Sequence, residues 1–221
     1  MSLAIFDLDN TLIAGDSDYL WGQFLVKKGL VDGPRYEEAN KRFYEEYLSG
    51  TLDIYAFLEF SLKPLAEHPT KELLRWREQF IAQEIRPILL PAAQALVAKH
   101  RDRGDALLII TATNRFVTEP IARLLGVDEL LASEPETVNG RYTGGIVGIP
   151  TYREGKIAAL EQWLGKHRLG LAESWFYSDS HNDIPLLERV THPVAVDADD
   201  ALAAYAREKG WPQLSLRDTA R

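Results

Sequence analysis

Four short segments carry side chains of the kinds that bind hard cations, attack electrophilic centres or hold anions. Asp7-Leu8-Asp9-Asn10-Thr11 closes one apolar run, Thr111-Ala112-Thr113-Asn114 closes a second, and Ser178-Asp179-Ser180-His181-Asn182-Asp183 closes a third. Lys156 lies between the last two. Each has an ordinary explanation when taken alone. Asp9, Asn10 or Asp183 can cap a helix, Thr111 to Asn114 can open one, and a lysine is usually a solvated charge.

Their order changes that reading. If the apolar runs are parallel strands of one open sheet, residues just past the strand ends meet in the crevice where such sheets bind ligands. Carboxylates crowded there are costly unless a counter-charge joins them. A hard divalent cation with oxygen ligands supplies it, and Mg2+ takes few protein carboxylates beside water and substrate phosphate. The candidate metal residues are therefore Asp7, Asp9, Asp179 and Asp183. Thr111 and the amides of a helix start offer an anion cradle, and Lys156 offers a fixed positive charge. Asp7, Asp9, Thr111 and Lys156 form the candidate catalytic set, with Thr11, Ala112, Asn114 and Asn182 as candidate substrate contacts.

The elements that must position these residues are legible from periodicity. Leu3 to Leu8 reads as a buried parallel strand. From Asp16 to about Glu84 the pattern is helical, as Tyr19, Leu20, Phe24 and Leu25 show. Gly33-Pro34 opens a helix towards Ser49-Gly50, Leu52 to Leu62 is another, and Thr70 is the expected N-cap of a fourth. After Pro91 a helix runs to Arg103 and stops at Gly104, followed by a strand from Ala106 to Ile110 and a helix from Asn114 to Leu125. Thr137 to Ile149 contains Asn139-Gly140 and Gly144-Gly145 among β-formers and predicts a small hairpin. Lys156–His167 and Ala198–Lys209 are helical, and Ser174–Ser178 and Val194–Val196 are strands. Alternating strands and helices predict an α/β fold, a Rossmann-like three-layer parallel sheet core. The helical block is then an inserted cap: core 1–14 and 86–221, cap 15–85.

In this order the segments resemble the haloacid dehalogenase superfamily of phosphohydrolases, and the insertion after the first segment is similar to its phosphoserine-phosphatase-like branch. The resemblance spans nearly the whole chain. It implies that Asp7 is a nucleophile that becomes phosphorylated, that Asp9 is the general acid and base, and that Thr111 and Lys156 hold the phosphate. It also implies that Asp179 binds Mg2+ directly, that Asp9 offers the metal its backbone carbonyl, and that Asp183 steadies the acidic loop or Lys156. Ser178 and Ser180 stand where the family's loop is glycine-rich, so a positive φ at either would strain it.

Composition narrows the field. A net charge of −8 without a long basic run argues against nucleic-acid and anionic-membrane surfaces. The absence of cysteine excludes disulfides and thiolate metal sites, and an N-terminus interrupted by Asp7 and Asp9 is unlike a signal peptide or spanning helix, which predicts a cytoplasmic protein. No pattern bears on oligomeric state. A dehalogenase needs no second acid, so Asp9 argues against one. A non-catalytic phosphate-binding module would be expected to lack one of these groups, and a mutase or phosphotransferase of the same fold stays open.

For the substrate, the resemblance places an acidic residue at Asp16 against an ammonium group, which implies a small amine-bearing phosphomonoester such as histidinol phosphate or phosphoserine. Phosphoserine would also need a cation for its carboxylate, for which Arg42 is the nearest cap candidate. Trp21, Phe24, Phe43, Tyr44, Tyr47 and Tyr55 are expected mainly to pack the cap, a few of them facing the site.

Overall fold

The computed structural model describes residues 2–217. Among these, β1 (Leu3–Phe6), β2 (Ala106–Asn114), β3 (Glu129–Val138), β4 (Arg141–Val147), β5 (Ser174–Ser178), β6 (His192–Val196) and β7 (Gln213–Leu214) form one seven-stranded sheet in the order β4-β3-β2-β1-β5-β6-β7. All neighbours are parallel except the β3–β4 pair. The chain leaves β1 towards β2 on one side and later builds β5 on the other. The crevice of the sheet thus opens at the end of β1, where Asp7 follows Phe6.

The β1 tetrapeptide Leu3-Ala4-Ile5-Phe6 is fully buried. Alternation sends Ala4 and Phe6 to one face and Leu3 and Ile5 to the other. The first face packs under α1 (Ser17–Lys27), α5 (Pro91–Asp102) and α6 (Arg115–Leu125), and the second under α7 (Glu154–His167), α8 (Ile184–Leu187) and α9 (Asp200–Lys209). This gives the three layers. α2 (Gly33–Ser49), α3 (Ile54–Glu67) and α4 (Thr70–Phe80) follow α1, and a π turn (Ile81–Ile85) and a 3-10 turn (Arg86–Ile88) lead to α5. The outgoing and returning chains touch, since Ala14 N–H donates to the Ile88 carbonyl at 2.9 Å.

Several sequence expectations are corrected. Thr70 is the first residue of α4 rather than its cap; its hydroxyl donates to the Gly140 carbonyl at 2.8 Å, and Pro69 precedes the helix. α3 continues through the buried Pro64 to Glu67 and packs on β4. The hairpin turn is at Asn139-Gly140, both with positive φ, but its first strand starts at Glu129. Residues Glu129 to Ser133 of β3 pair in parallel with β2, and Glu134 to Val138 pair with β4. The acidic residues and Pro135 hid this strand from the hydrophobic pattern. Ser178 and Ser180 are not among the positive-φ residues, so the acidic loop carries no strain there. Asn10 and Arg153 do adopt positive φ.

Candidate active site

Asp7 sits one residue past β1, its N–H donating to the Tyr177 carbonyl at 2.9 Å, so the adjacent strand fixes its backbone. Its carboxylate is almost fully buried. Lys156, in the first turn of α7, donates from Nζ to Asp7 Oδ1 and to Asp183 Oδ2, both at 2.7 Å. α7 comes this close because residue 155 is glycine: a Cβ there would lie 1.9 Å from the Pro150 carbonyl oxygen. Asp183 Oδ2 also accepts from the Ser178 hydroxyl at 2.7 Å, so Lys156 and Ser178 share one carboxylate oxygen. Desolvation works against the Lys156 ammonium, but the Asp183 and Asp7 charges outweigh it and raise its pKa above the ordinary value. Burial, together with the Asp183 charge and against the pull of Lys156, pushes Asp7 up to about 7.

Asp179 follows β5 on the other side. The Thr11 hydroxyl donates to Asp179 Oδ1 at 3.0 Å, and the Asp179 N–H donates back to Thr11 Oγ1 at 3.0 Å. Thr11 therefore fixes the position of the Asp179 carboxylate. Burial and the neighbouring Asp7 charge raise Asp179 well above the usual carboxylate range.

Asp9 is held from both sides. Its Oδ1 accepts from the Ser17 N–H at the start of α1 at 2.7 Å, and its Oδ2 from the Thr113 hydroxyl at 2.8 Å. Thr111, two residues earlier on the same strand face, lies 3.4 Å from the same Oδ2. Burial lifts Asp9 to about 6, with the Asp16 charge adding to the effect. Thr113 is a positioning residue that sequence reading passed over in favour of Thr111; the signal was the Thr-x-Thr spacing.

These groups open into a cleft of about 540 Å³, its mouth included, whose lining takes in Asp7, Asp9, Asp16, Thr111 and Ala112 from one side and Phe43, Tyr44 and Tyr47 of α2 from the other. Asp16 Oδ1 caps α1, accepting from Asp18 N–H at 3.0 Å and Tyr19 N–H at 2.8 Å. Asp18, which the sequence reading did not single out, lines the same cleft. Among the described residues no lysine or arginine contributes to this lining.

Other sequence candidates are employed elsewhere. Asn114 is buried as the N-cap of α6, its Oδ1 accepting from the Val117 N–H. Asn182 bolts the acidic loop to α2, donating to the Tyr47 carbonyl at 3.1 Å while its Oδ1 accepts from Arg153 Nε at 3.0 Å. Arg153 donates also to the Gly50 carbonyl at 2.6 Å, and a Cβ on Gly50 would meet both Arg153 and His181 at 2.8 Å. Arg42 points away: it pairs with Glu46 at 3.5 Å, stacks over Phe43 and lines a separate surface groove. Of the aromatic residues, Trp21 and Phe24 are core, Phe43, Tyr44 and Tyr47 face the cleft, and Tyr55 is exposed.

The donor set suits Mg2+. Asp7 is close enough to Asp179 to disfavour its ionisation, and among the described residues Asp179 has the Thr11 hydroxyl but no cation beside it. Among the described residues no three acidic or histidine side chains converge into a cage that would bind a metal by themselves. A cation that accepts one or two carboxylates and fills its shell with carbonyl, water and phosphate oxygens matches such a half-built site.

The sequence pattern of the haloacid dehalogenase-like hydrolases matches residues 4–188. The chain belongs to this family. It is 46% identical over 220 residues to a histidinol-phosphatase of Neisseria meningitidis, covering 98% of this chain and 99% of that protein. A phosphoserine phosphatase of Mycobacterium tuberculosis is 32% identical, over 94% of this chain and 68% of its own length. A Bordetella pertussis protein of unknown function has the same fold with a TM-score of 0.92 at 45% identity, covering 97% of this chain and 98% of that one. A phosphoserine phosphatase solved as a phospho-aspartyl intermediate analogue shares the fold at a TM-score of 0.70 and 18% identity, covering 98% of this chain and 93% of that one. This haloacid dehalogenase-like enzyme is a phosphatase. No helix among its described residues is long and apolar enough to cross a membrane.

Proposed function

We propose that this phosphatase is a Mg2+-dependent phosphomonoesterase that works through an aspartyl phosphate at Asp7, acting on a small amine-bearing metabolite, with histidinol phosphate preferred to phosphoserine. The observation that carries the reading is the cleft itself: a buried carboxylate paired with Lys156 at its floor, acidic residues along the same side, aromatic rings opposite, and no lysine or arginine in its lining among the described residues. Asp7, Asp179 and the Asp9 carbonyl would hold Mg2+, which would neutralise phosphate oxygens so that a carboxylate can approach them.

An Asp7 carboxylate oxygen attacks phosphorus, and the phosphorus–ester oxygen bond breaks. Asp9 gives its proton to the departing alkoxide, a role suited by a pKa of about 6. Water then attacks the aspartyl phosphate, Asp9 takes the water's proton, and Asp7 is regenerated as phosphate leaves. Lys156 balances negative charge on the nucleophile and phosphate throughout. Residues 15–85 act as the cap that closes this chemistry from solvent, with Arg153 and Asn182 tying the α2 end to the core.

The preference for histidinol phosphate over phosphoserine is supported by the outward Arg42, which leaves a substrate carboxylate without a counter-ion in the cleft. The 46% identical histidinol-phosphatase points the same way. Release of inorganic phosphate from histidinol phosphate, phosphoserine, glycerol phosphate and a sugar phosphate, with Mg2+ and with EDTA, tests it. The expected order places histidinol phosphate first, with activity lost in EDTA and the amine advantage reduced in Asp16→Ala. Equal kcat/KM across the panel would defeat the substrate assignment, and full activity in EDTA the metal requirement.

A further inference from the structure

We infer that Asp18 forms a second cation subsite in the cleft, separate from Asp16, so that the preferred substrate carries two protonatable nitrogen centres and no carboxylate. This rests on the reading of the cleft as the place where an amine-bearing phosphomonoester binds. Asp18 is only 7% exposed, it lines the cleft, and its Oδ2 is buried with no hydrogen-bond partner among the described residues. An acidic residue in the first turn of a helix favours the helix dipole, but that benefit needs no burial. The N-cap task is already performed by Asp16, whose Oδ1 accepts from two amides of α1. Asp18 is thus a buried carboxylate that the fold itself does not satisfy, beside two more at Asp9 and Asp16. A group left this way destabilises the empty protein and persists where a ligand satisfies it.

The chemistry of that ligand follows from the lining. Asp16 Oδ2 accepts no hydrogen bond among the described residues and is open to one ammonium group, and Asp18 supplies a more deeply buried carboxylate on α1 in a lining that also holds Asn40 and Phe43. Tyr19 and Tyr44, their ring centroids 4.9 Å apart, line the same cleft. Carboxylates flanked by aromatic rings suit cationic nitrogen, including a flat protonated heterocycle. A single ammonium substrate would leave Asp18 unsatisfied, and an amino acid phosphate would bring another negative charge into the same space.

The test compares kcat/KM for histidinol phosphate and 2-aminoethyl phosphate, which has one ammonium and nothing further, in wild type, Asp18→Asn and Asp18→Glu. Asp18→Asn is expected to lower the value for histidinol phosphate by about 10- to 100-fold, the worth of one charged hydrogen bond, and to change 2-aminoethyl phosphate by less than about 3-fold. Asp18→Glu, which keeps the charge, should retain part of the preference. Calorimetric titration of histidinol and of ethanolamine into the metal-free protein gives a readout independent of turnover. Histidinol binding should weaken in Asp18→Asn while ethanolamine binding does not. Melting temperature of the ligand-free Asp18→Asn protein should equal or exceed that of wild type. Equal losses on both phosphates, or undiminished histidinol binding in Asp18→Asn, would overturn the subsite. Asp18-dependent binding of histidinol without turnover of histidinol phosphate would instead support the subsite and overturn the proposed substrate.

Discussion

At the Asp7 end of the cleft a buried ammonium lies 2.7 Å from two carboxylates, whereas at the Asp18 end Asp9, Asp16 and Asp18 share a lining without any lysine or arginine among the described residues. Both ends bury carboxyl groups, but only the first carries a counter-charge on the chain. An internal counter-ion fixes geometry before substrate arrives, which suits the reacting centre. Charge left uncompensated selects what binds, because the ligand must bring the missing cation. The aromatic residues divide in the same way: Trp21 stacks on Phe24 in the core, whereas Tyr19 and Tyr44 meet at the cleft.

The contrast is tested most severely at Asp7. Asp7→Asn keeps shape and hydrogen bonding to Lys156 but removes the attacking charge, and kcat should fall by at least about 10³-fold with KM little changed, measured as phosphate release. Residual activity near wild type would remove the Asp7 end from the chemistry. Lys156→Met should be the most destabilising change at either end, about 3–5 kcal/mol in denaturant titration, since it strands Asp7 and Asp183 in a dry site. Asp18→Asn should show no such loss, and a similar loss in both would erase the distinction.

Asp9 is assigned to the reaction although it shares the lining of the Asp18 end. Asp9→Asn should reduce turnover of an alkyl phosphate by about 10²-fold and of nitrophenyl phosphate much less, because only the alkoxide needs a proton as it leaves. The smallest effect expected is one of pH. Asp7 and Asp9 rise from 3.8 to about 7 and about 6, so the metal-free folded state binds more protons than the unfolded chain between those values. Their contribution to stability is therefore largest at the acid side of this window and falls as pH rises through it. Mg2+ competes with those protons, so the rise in melting temperature on adding Mg2+ should be larger at pH 8 than at pH 5.5. Taking this difference cancels buried His100, whose pKa is lowered by burial and which pulls stability the other way. A metal effect independent of pH would show that the raised carboxylates are not where Mg2+ binds.

Strands β1 and β5, the helix that follows β1 and the order of the four reactive segments were legible in the chain, because burial of a parallel strand and the period of an amphipathic helix are local patterns. The same locality explains what was misread. β3 is recognised only by its pairing with β2 on one side and β4 on the other, since Pro135 and its glutamates break any hydrophobic run. Thr70 looked like a cap because residue type was all there was to judge by, yet a carbonyl 70 positions away takes its hydroxyl.

Residue chemistry and order along the chain thus determined that Asp7, Asp9, Thr111, Lys156, Asp179 and Asp183 would meet at one sheet edge. Only the tertiary structure decided how they divide the work there: Asp183 on Lys156, Thr11 on Asp179, Thr113 on Asp9, Asn114 and Asn182 in structural bonds, Arg42 turned outward and Asp18 turned in. The physical reason is that a side chain's partners are set by elements distant in sequence. Lys156 reaches Asp7 across 149 positions, and Arg153 reaches Gly50 across 103, separations over which local pattern carries no information about direction.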